Sequence, residues 1–358
     1  MDKIIGLLDL DYFYAQCEIQ RNPSIRGRPV VIVMPSIREN SGAIATCNYE
    51  ARSLKIKSGM PLSLAKKLAD ASTVFINADK LYYEEISTKV FEIVDYFCEK
   101  VEQVSIDEAY FDLTNPSGYD KASEVCVKIK QRIKSELNLT CSIGVGPNKL
   151  ISKMACSMKK PDGLFVVKPS ELEHFLSKQK VSSLMGVGEK TEEEFKKHGV
   201  VLVSDIKKFK KSDLISWFGE VIGGKFYDFA FGIDDRLVEP NREKQQLSRL
   251  MTIKEDSSDY EVVVQNVDFL VDMLYKQVID LKKKFRTISL IVITDKMETI
   301  TKSRTKTSDI ESVDELNEIS RELLKSFLNE SSAYIRRIGV KVSNFEENTG
   351  FQKKLFDY

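Results

Sequence analysis

Three acidic residues in this chain could do metal-assisted chemistry. Asp9 closes the apolar run KIIGLLDL (3–10), and Asp107 and Glu108 stand side by side inside VEQVSIDEAYFDLT (101–114). Carboxylates brought together repel one another, and a fold tolerates them when a cation sits between them. The chain has only His174 and His198, and its six cysteines (17, 47, 98, 126, 141 and 156) form no C-x-x-C pair, so a zinc site is not expected. Any metal must then be held by oxygen, which points to magnesium, manganese or calcium. Two such ions about 3.5–4 Å apart activate a 3′-hydroxyl and stabilise a leaving pyrophosphate. An isolated Asp-Glu pair is more often a surface turn cap, and spacing alone leaves that alternative open.

Two further groups of residues bear on phosphate. Gly186-Val187-Gly188 lies between two helical segments and resembles a helix-hairpin-helix, in which amides at a glycine turn hold a DNA phosphate. The neighbouring GVGEKT lacks the spacing of a Walker loop. Lys302, Arg304 and Lys306 alternate along one strand pattern and so share a face, with Arg337 and Lys341 at compatible spacing on the last strand. Such a face can lie in a major groove and meet phosphates. Lys282-Lys283-Lys284 is read more simply as a solvated cluster at a helix end.

The elements that must position these residues follow from periodicity. Strands are expected at 3–10 and 28–34, a run from small residues into a helix at 42–52, and helices at 61–70 and 80–100. Segment 101–114 reads as a hairpin whose turn is Ser105-Ile106-Asp107-Glu108. A helix at 119–137, a strand at 140–146, a helix at 147–159 and the turn Lys160-Pro161-Asp162-Gly163 complete an α+β sheet expected to carry helices on one face. Short helices joined by glycine turns occupy 168–234, a polar segment 235–245 reads as a linker, and strands and helices alternate again from 246 to 345.

At 358 residues the chain is expected to form two to four domains, and 42% hydrophobic with 30% charged residues describes a water-soluble protein with ordinary cores. The first residues do not form a signal peptide, and no stretch approaches the roughly 18 apolar residues of a membrane helix. No membrane association is expected, and the default compartment is the cytoplasm. Scattered cysteines there are read as small buried hydrophobes. With 54 basic and 54 acidic residues, global charge gives no support for nucleic-acid binding, so that case rests on local patches.

Five segments carry a resemblance: LDLDYFYAQCE (8–18), GAIATCNYEAR (42–52), SIDEAYFDL (105–113), CSIGVGPNKLISKMA (141–155) and KKPDG (159–163). In this order they closely resemble the Y-family DNA polymerases, in particular the polymerase IV branch of archaea and bacteria, from residue 3 to about 345. The resemblance implies a multidomain α+β right hand with palm (1–10 and 78–167), small fingers (11–77), helical thumb (168–234), linker (235–245) and α+β little finger (246–345). Asp9, Asp107 and Glu108 match the family's catalytic metal ligands, with the Leu10 carbonyl a further ligand and two Mg²⁺ the expected cofactors, Mn²⁺ or Ca²⁺ substituting in binding. Tyr12 and Phe13 match positions whose amides meet the triphosphate, and Tyr14 matches the aromatic gate against a ribose 2′-hydroxyl. Tyr49, Arg52 and Lys160 match the side chains holding the β- and γ-phosphates, a task suited to a phenol, a forked guanidinium and an ammonium.

The same resemblance makes Gly42, Ala43, Ala45 and Gly59 the surface over the nascent base pair. All four are small, so the roof tests shape weakly, and low fidelity with lesion bypass is the expected outcome. Members often carry proline where Met185 stands. In the tail (346–358), Gln352 followed by Leu355, Phe356 and Tyr358 resembles peptides that dock on sliding clamps. The expected partners are therefore primer-template DNA, a deoxynucleoside triphosphate and a clamp, with the chain itself a monomer. A nucleotidyl cyclase using the same palm chemistry, or a damage-recognising scaffold without catalysis, are the rival readings.

Overall fold

The computed structural model describes residues 3–38, 41–115, 118–240 and 244–345. β1 (Ile5–Leu10) runs into α1 (Phe13–Arg21), followed by β2 (Val30–Pro35), β3 (Gly42–Cys47), α2 (Tyr49–Ser53), α3 (Leu62–Leu68) and β4 (Val74–Asn77). α4 (Lys80–Phe97) precedes β5 (Val101–Gln103), β6 (Glu108–Asp112), α5 (Tyr119–Leu137), β7 (Cys141–Gly146), α6 (Lys149–Met158) and β8 (Leu164–Val166). Then come α7 (Leu172–Ser177), α8 (Glu189–Lys197), α9 (Val203–Ile206), α10 (Lys211–Phe218) and α11 (Glu220–Ala230). The last elements are β9 (Gln246–Ser257), α12 (Tyr260–Asp280), β10 (Phe285–Thr294), β11 (Thr299–Thr305), α13 (Val313–Glu330) and β12 (Ile335–Phe345). They form two compact units, Met1–Met34 with Ala43–Arg242, and Pro35–Gly42 with Glu243–Tyr358.

The first unit is built on a sheet ordered β5-β6-β1-β7-β8, antiparallel except for the β7–β8 pair. Side chains alternate across it. Leu8 and Leu10 of β1 join Ile143 and Val145 of β7 in a core shared with Val90 and Val94 of α4 and Ile129 and Ile133 of α5. Each such fully buried aliphatic side chain contributes about 1.5–3 kcal/mol. Ile5, Leu7 and Asp9 point to the other face, where Ile5 and Leu7 meet Tyr110, Cys156 and Val238.

That second face is also covered, which departs from the expectation of helices on one face only. α6 lies directly on β7: a Cβ at Gly144 would stand 2.1 Å from the Ser152 carbonyl oxygen and 2.2 Å from the Cys156 nitrogen. Ser142, Gly144 and Gly146 alternate along β7 and leave a shallow groove into which the helix backbone fits. A run of small residues reads only as the glycine-rich end of a strand until the helix is seen lying on it. The polar segment after α11 also docks here, with Val238 buried and the Glu239 amide donating to Glu102 Oε2 at 2.7 Å.

A second sheet, β3-β2-β4, stands beside the first, with β2 and β4 parallel. Neither β3 nor β4 was expected as a strand: residues 42–47 are small and read as the approach to a helix, and β4 has only 4 residues. Asn48 joins this sheet to α2. Its Oδ1 accepts from the amides of Ala51 (3.1 Å) and Val30 (2.8 Å), and its Nδ2 donates to the Arg28 carbonyl at 2.7 Å. Helices α7 to α11 form a separate core around Phe195, Phe226 and Leu214, joined by Leu150, Ile151 and Met154 of α6.

The second unit is a fully antiparallel sheet, β11-β10-β12-β9, with α12 and α13 on one face. Segment Pro35–Gly42 belongs to it: Arg38 donates to the Ile253 carbonyl at 2.8 Å and pairs with Asp256 at 2.6 Å. Among the described residues no helix is long and apolar enough to cross a membrane.

All six cysteines are unpaired and buried, as expected of core packing rather than redox chemistry. Burial pushes the thiols of Cys17, Cys98 and Cys156 up to about 12 and those of Cys126 and Cys141 higher still. A thiol-specific chromogenic reagent at neutral pH is therefore expected to label none of the six in the native protein within minutes and all six after denaturation. Rapid labelling of even one native cysteine would contradict the burial described.

Candidate active site and nucleic-acid interface

The register of β1 on β6 sets Asp9 directly opposite Glu108, so the two carboxylates leave the same face of the sheet. The Leu10 amide donates to the Asp107 carbonyl oxygen at 2.9 Å, which fixes the third acid at the same end of the hairpin. Glu108 begins β6, and Asp107 is the last residue of the turn rather than its interior. The three acids found by sequence therefore meet, although about a hundred positions separate the first from the others.

Each acid has its own partner. Lys160 Nζ lies 2.5 Å from Asp9 Oδ1, Lys153 of α6 donates to both Glu108 oxygens at 2.6 and 2.7 Å, and Ser105 Oγ donates to Asp107 Oδ1 at 2.6 Å. Burial holds the Asp9 carboxyl above its ordinary range; Lys160 opposes this, and the nearby negative charges of Asp107 and Glu108 add to it. Burial also works against the Lys160 ammonium, but the pairing with Asp9 outweighs it and keeps the amine firmly charged. Each of the two lysine ammoniums balances one of the carboxylates. With the carboxylates turned to them, no three His, Cys, Asp or Glu side chains among the described residues converge as a ready metal cage. The donor set is all oxygen, which fits a hard divalent cation.

Asp9 and Asp107 line an open cleft of about 330 Å³, and Glu108, turned to Lys153, stands outside that lining. Tyr12, Tyr14, Tyr49, Arg52 and Lys160 all line the cleft, together with Ala45. Tyr12 caps α1 in the left-handed region (φ 36, ψ 46), a conformation costing a non-glycine residue about 1–2 kcal/mol. The turn brings the first amides of α1, which have no acceptor within the helix, to the cleft wall. Phe13 itself is 2% exposed, so only its backbone faces the cleft. The Tyr12 ring meets Tyr49 edge-on at 5.4 Å, and Arg52 lies 4.9 Å over the Tyr49 ring while its Nε donates to the Cys47 carbonyl at 3.3 Å. Tyr14 is stacked on the fully buried Tyr83 at 4.3 Å, whose hydroxyl donates to Glu18 Oε1 at 2.9 Å. Burial is the main cause keeping the phenols of Tyr12, Tyr14 and Tyr49 above the ordinary phenol range, so they stay neutral donors.

The roof positions are placed less uniformly. Ala43 and Ala45 share one face of β3, whose Ile44 accepts from the Gly59 amide at 2.8 Å. Gly59 has φ +80, and nothing lies within 4 Å of where a Cβ would be. Gly42 opens β3 and stands at the division between the two units. Thr46, Ser58, Ile106 and Asp11 also line the cleft and were not singled out from the sequence. Asp11 sits in the matched segment 8–18, and that membership was the only signal the sequence offered for it.

Comparison with known proteins decides what this arrangement is. Residues 8–157 match the impB/mucB/samB family, and residues 244–355 match that family's C-terminal domain. DNA polymerase IV of Methanosarcina acetivorans is 39% identical over 367 residues, covering 100% of both chains. DNA polymerase IV of Nitrosopumilus maritimus is 37% identical over 99% of each. This chain belongs to the Y family of DNA polymerases. Among solved structures, a Y-family DNA polymerase chimera superposes with a TM-score of 0.89 at 30% identity, covering 95% of this chain and 98% of the other. Dbh DNA polymerase, solved as an insertion ternary complex, gives 0.69 at 30% identity over the same shares. The polymerase is thus a template-directed enzyme of a low-fidelity, translesion family, and the cyclase and scaffold readings are set aside.

The glycine turns of the polymerase's helical region differ from each other. Gly186 (φ 88) and Gly188 lie between a single 3₁₀ turn at Val181–Ser183 and α8, so the first half of that expected hairpin is short. Met185 at this turn contacts the Tyr110 hydroxyl through its sulfur at 3.8 Å. A second glycine turn forms the fuller motif: α10 and α11 join at Gly219 (φ 80), and a Cβ at Gly223 would stand 2.1 Å from the Leu214 carbonyl oxygen.

The face proposed for Lys302, Arg304 and Lys306 is corrected by the register. Lys302 pairs with Leu290 and Arg304 with Ile288, both buried under the helices, so these side chains point to α13 and not to the open face. Lys302 meets Glu330 at 2.6 Å, Arg304 meets Glu322, and Lys306 meets Glu315. Even alternation was read correctly, but an edge strand lets long cations occupy the covered face while their heads reach solvent. The open face instead carries Thr301, Ser303, Thr305, Thr287, Ser248 and Thr252, with Ile291, Ile293 and Leu250 among them, around Arg337 and Lys341. Those two cations make no ion pair among the described residues, and Arg337 Nε has no acceptor there. Replacing Arg337 and Lys341 by alanine is expected to weaken duplex binding and lower its salt slope by about two. Removing Lys302, Arg304 and Lys306 should leave that slope unchanged and cost under about 1 kcal/mol per pair in stability. Equal slopes from the two variants in a fluorescence-anisotropy titration would overturn this assignment.

Proposed function

We propose that Asp9, Asp107 and Glu108, with the Leu10 carbonyl, hold two Mg²⁺ ions beside the incoming nucleotide during primer extension. When bound, the ions would supply Lewis-acid stabilisation of the attacking and leaving oxygens. The observation that carries this reading is the cross-strand pairing of Asp9 with Glu108, with Asp107 fixed beside them, where Asp9 and Asp107 line a cleft of cations and phenols. The amides of Tyr12 and Phe13 at the start of α1 and the side chains of Tyr49, Arg52 and Lys160 receive the triphosphate. Their combination of helix terminus, fork and ammonium suits spread negative charge. Lys160 leaves Asp9 as phosphate arrives, exchanging one anion for another. Tyr14, braced on Tyr83, excludes a 2′-hydroxyl by occupying its place.

We assign palm to 1–10 and 78–167, fingers to 11–77, thumb to 168–234 and little finger to 246–345, with 235–245 as linker. Gly186 and Gly188 in the thumb and Arg337 and Lys341 in the little finger are assigned to DNA phosphates, together with the hydroxyls around the latter pair. The Gln352, Leu355, Phe356 and Tyr358 tail, which lies outside the described residues, is assigned to a sliding clamp on its spacing alone. The polymerase acts as a monomer in the cytoplasm, a compartment in keeping with six unpaired thiols.

Asp107→Ala is expected to reduce primer extension by about a thousandfold or more, several kcal/mol of transition-state stabilisation, with primer-template affinity kept within about threefold. A chelator should abolish extension and added Mg²⁺ restore it; an active Asp107→Ala variant would refute the proposal. Ala43→Leu is expected to lower misincorporation and slow bypass of bulky adducts by about tenfold. An unchanged error rate in single-nucleotide insertion assays would remove the small-residue roof as the source of infidelity.

A further inference from the structure

Asp11 is a buried carboxylate, 1% exposed, that the proposed chemistry does not use. Ionised groups are not buried without hydrogen bonds to offset the loss of water. Both oxygens are occupied: Ser142 Oγ donates to Oδ1 at 2.7 Å, and the Asp162 amide donates to Oδ2 at 2.8 Å. Its backbone is fixed as well, since the Asp11 amide donates to the Thr140 carbonyl at 3.2 Å and the Gln16 side chain bonds both the Asp11 and Thr140 carbonyls. Asp11 thus joins the end of β1, the start of β7 and the turn 160–163.

That turn carries Lys160 to the cleft. It is held from its other side by Lys130, which pairs with Asp162 at 2.6 Å and donates to the Cys141 carbonyl at 2.5 Å. The Gly163 carbonyl accepts from Ile143 at 2.9 Å. Asp162 itself is left-handed (φ 52), a conformation that persists only where the surroundings impose it. With the backbone fixed on both sides, Lys160 changes partner by side-chain rotation alone. We infer that Asp11 is a positioning residue that clamps the 160–163 turn so that Lys160 reaches the phosphates of the incoming nucleotide. This rests on the assignment of Lys160 to those phosphates.

A thermodynamic cycle in steady-state single-nucleotide insertion tests it, using the full chain with primer-template, Mg²⁺ and the correct dNTP. Lys160→Ala should raise KM for the nucleotide about tenfold or more. Asp11→Ala should do the same with kcat changed less than about threefold, and the double variant should be no worse than either single one. Asp11→Asn, which keeps an acceptor for the Asp162 amide, should stay within about twofold of the parent. Asp11→Ala combined with Arg52→Ala should instead multiply. Ser142→Ala removes one bond only; it should raise KM less, with the same lack of additivity toward Lys160→Ala, and serves if Asp11→Ala fails to fold in a melting scan. Multiplicative effects of Asp11→Ala (or Ser142→Ala) with Lys160→Ala would overturn the clamp while leaving the phosphate role intact. An unchanged KM in Lys160→Ala alone would show that the phosphate assignment itself had failed.

Discussion

Everything in the first unit is arranged around the cost of holding negative charges close together in a half-buried place. Two of the acids are cross-strand neighbours, a geometry that is destabilising for like charges. The structure answers with lysines from α6 and from the turn that follows it, so the helix laid on β7 supplies counter-charge as well as apolar cover. The small residues of β7 let that helix approach closely enough to do so. Sheet register, glycine pattern and electrostatics are therefore one constraint seen three ways.

Much of this was legible in the sequence, and the limits are instructive. The strand ending in Asp9, the hairpin bearing Asp107 and Glu108, and the long helices α4, α5, α12 and α13 follow from strong periodicity. β3 and β4 were not read, because small residues and a run of 4 give no alternation to detect. Lys153 was invisible as a partner of Glu108, since nothing local links a helix position to a strand 45 residues earlier. Motif resemblance found most of the cleft residues; Asp11 and Asn48 lie in matched segments too, but their roles emerge only from hydrogen bonds between segments distant in the chain.

The second unit shows the opposite failure. Alternating cations were visible and their shared face was inferred correctly, but periodicity of two does not say which face is covered. That was decided by Ile288, Leu290 and Val292 on the neighbouring strand, whose burial fixes the inward side for all its partners. The hydroxyl-rich outer face has no strong signature, because serine and threonine also populate loops and strand edges.

That outer face has a mechanical consequence. Short hydroxyls grip by contact at hydrogen-bond range and project little field into solution, and a chain of zero net charge adds none. On the proposed assignment of that face to DNA phosphates, its footholds would be shallow and evenly spaced rather than one deep well. Such a contact would let the enzyme step along a distorted backbone without being trapped, and would leave its products short unless something else tethered it.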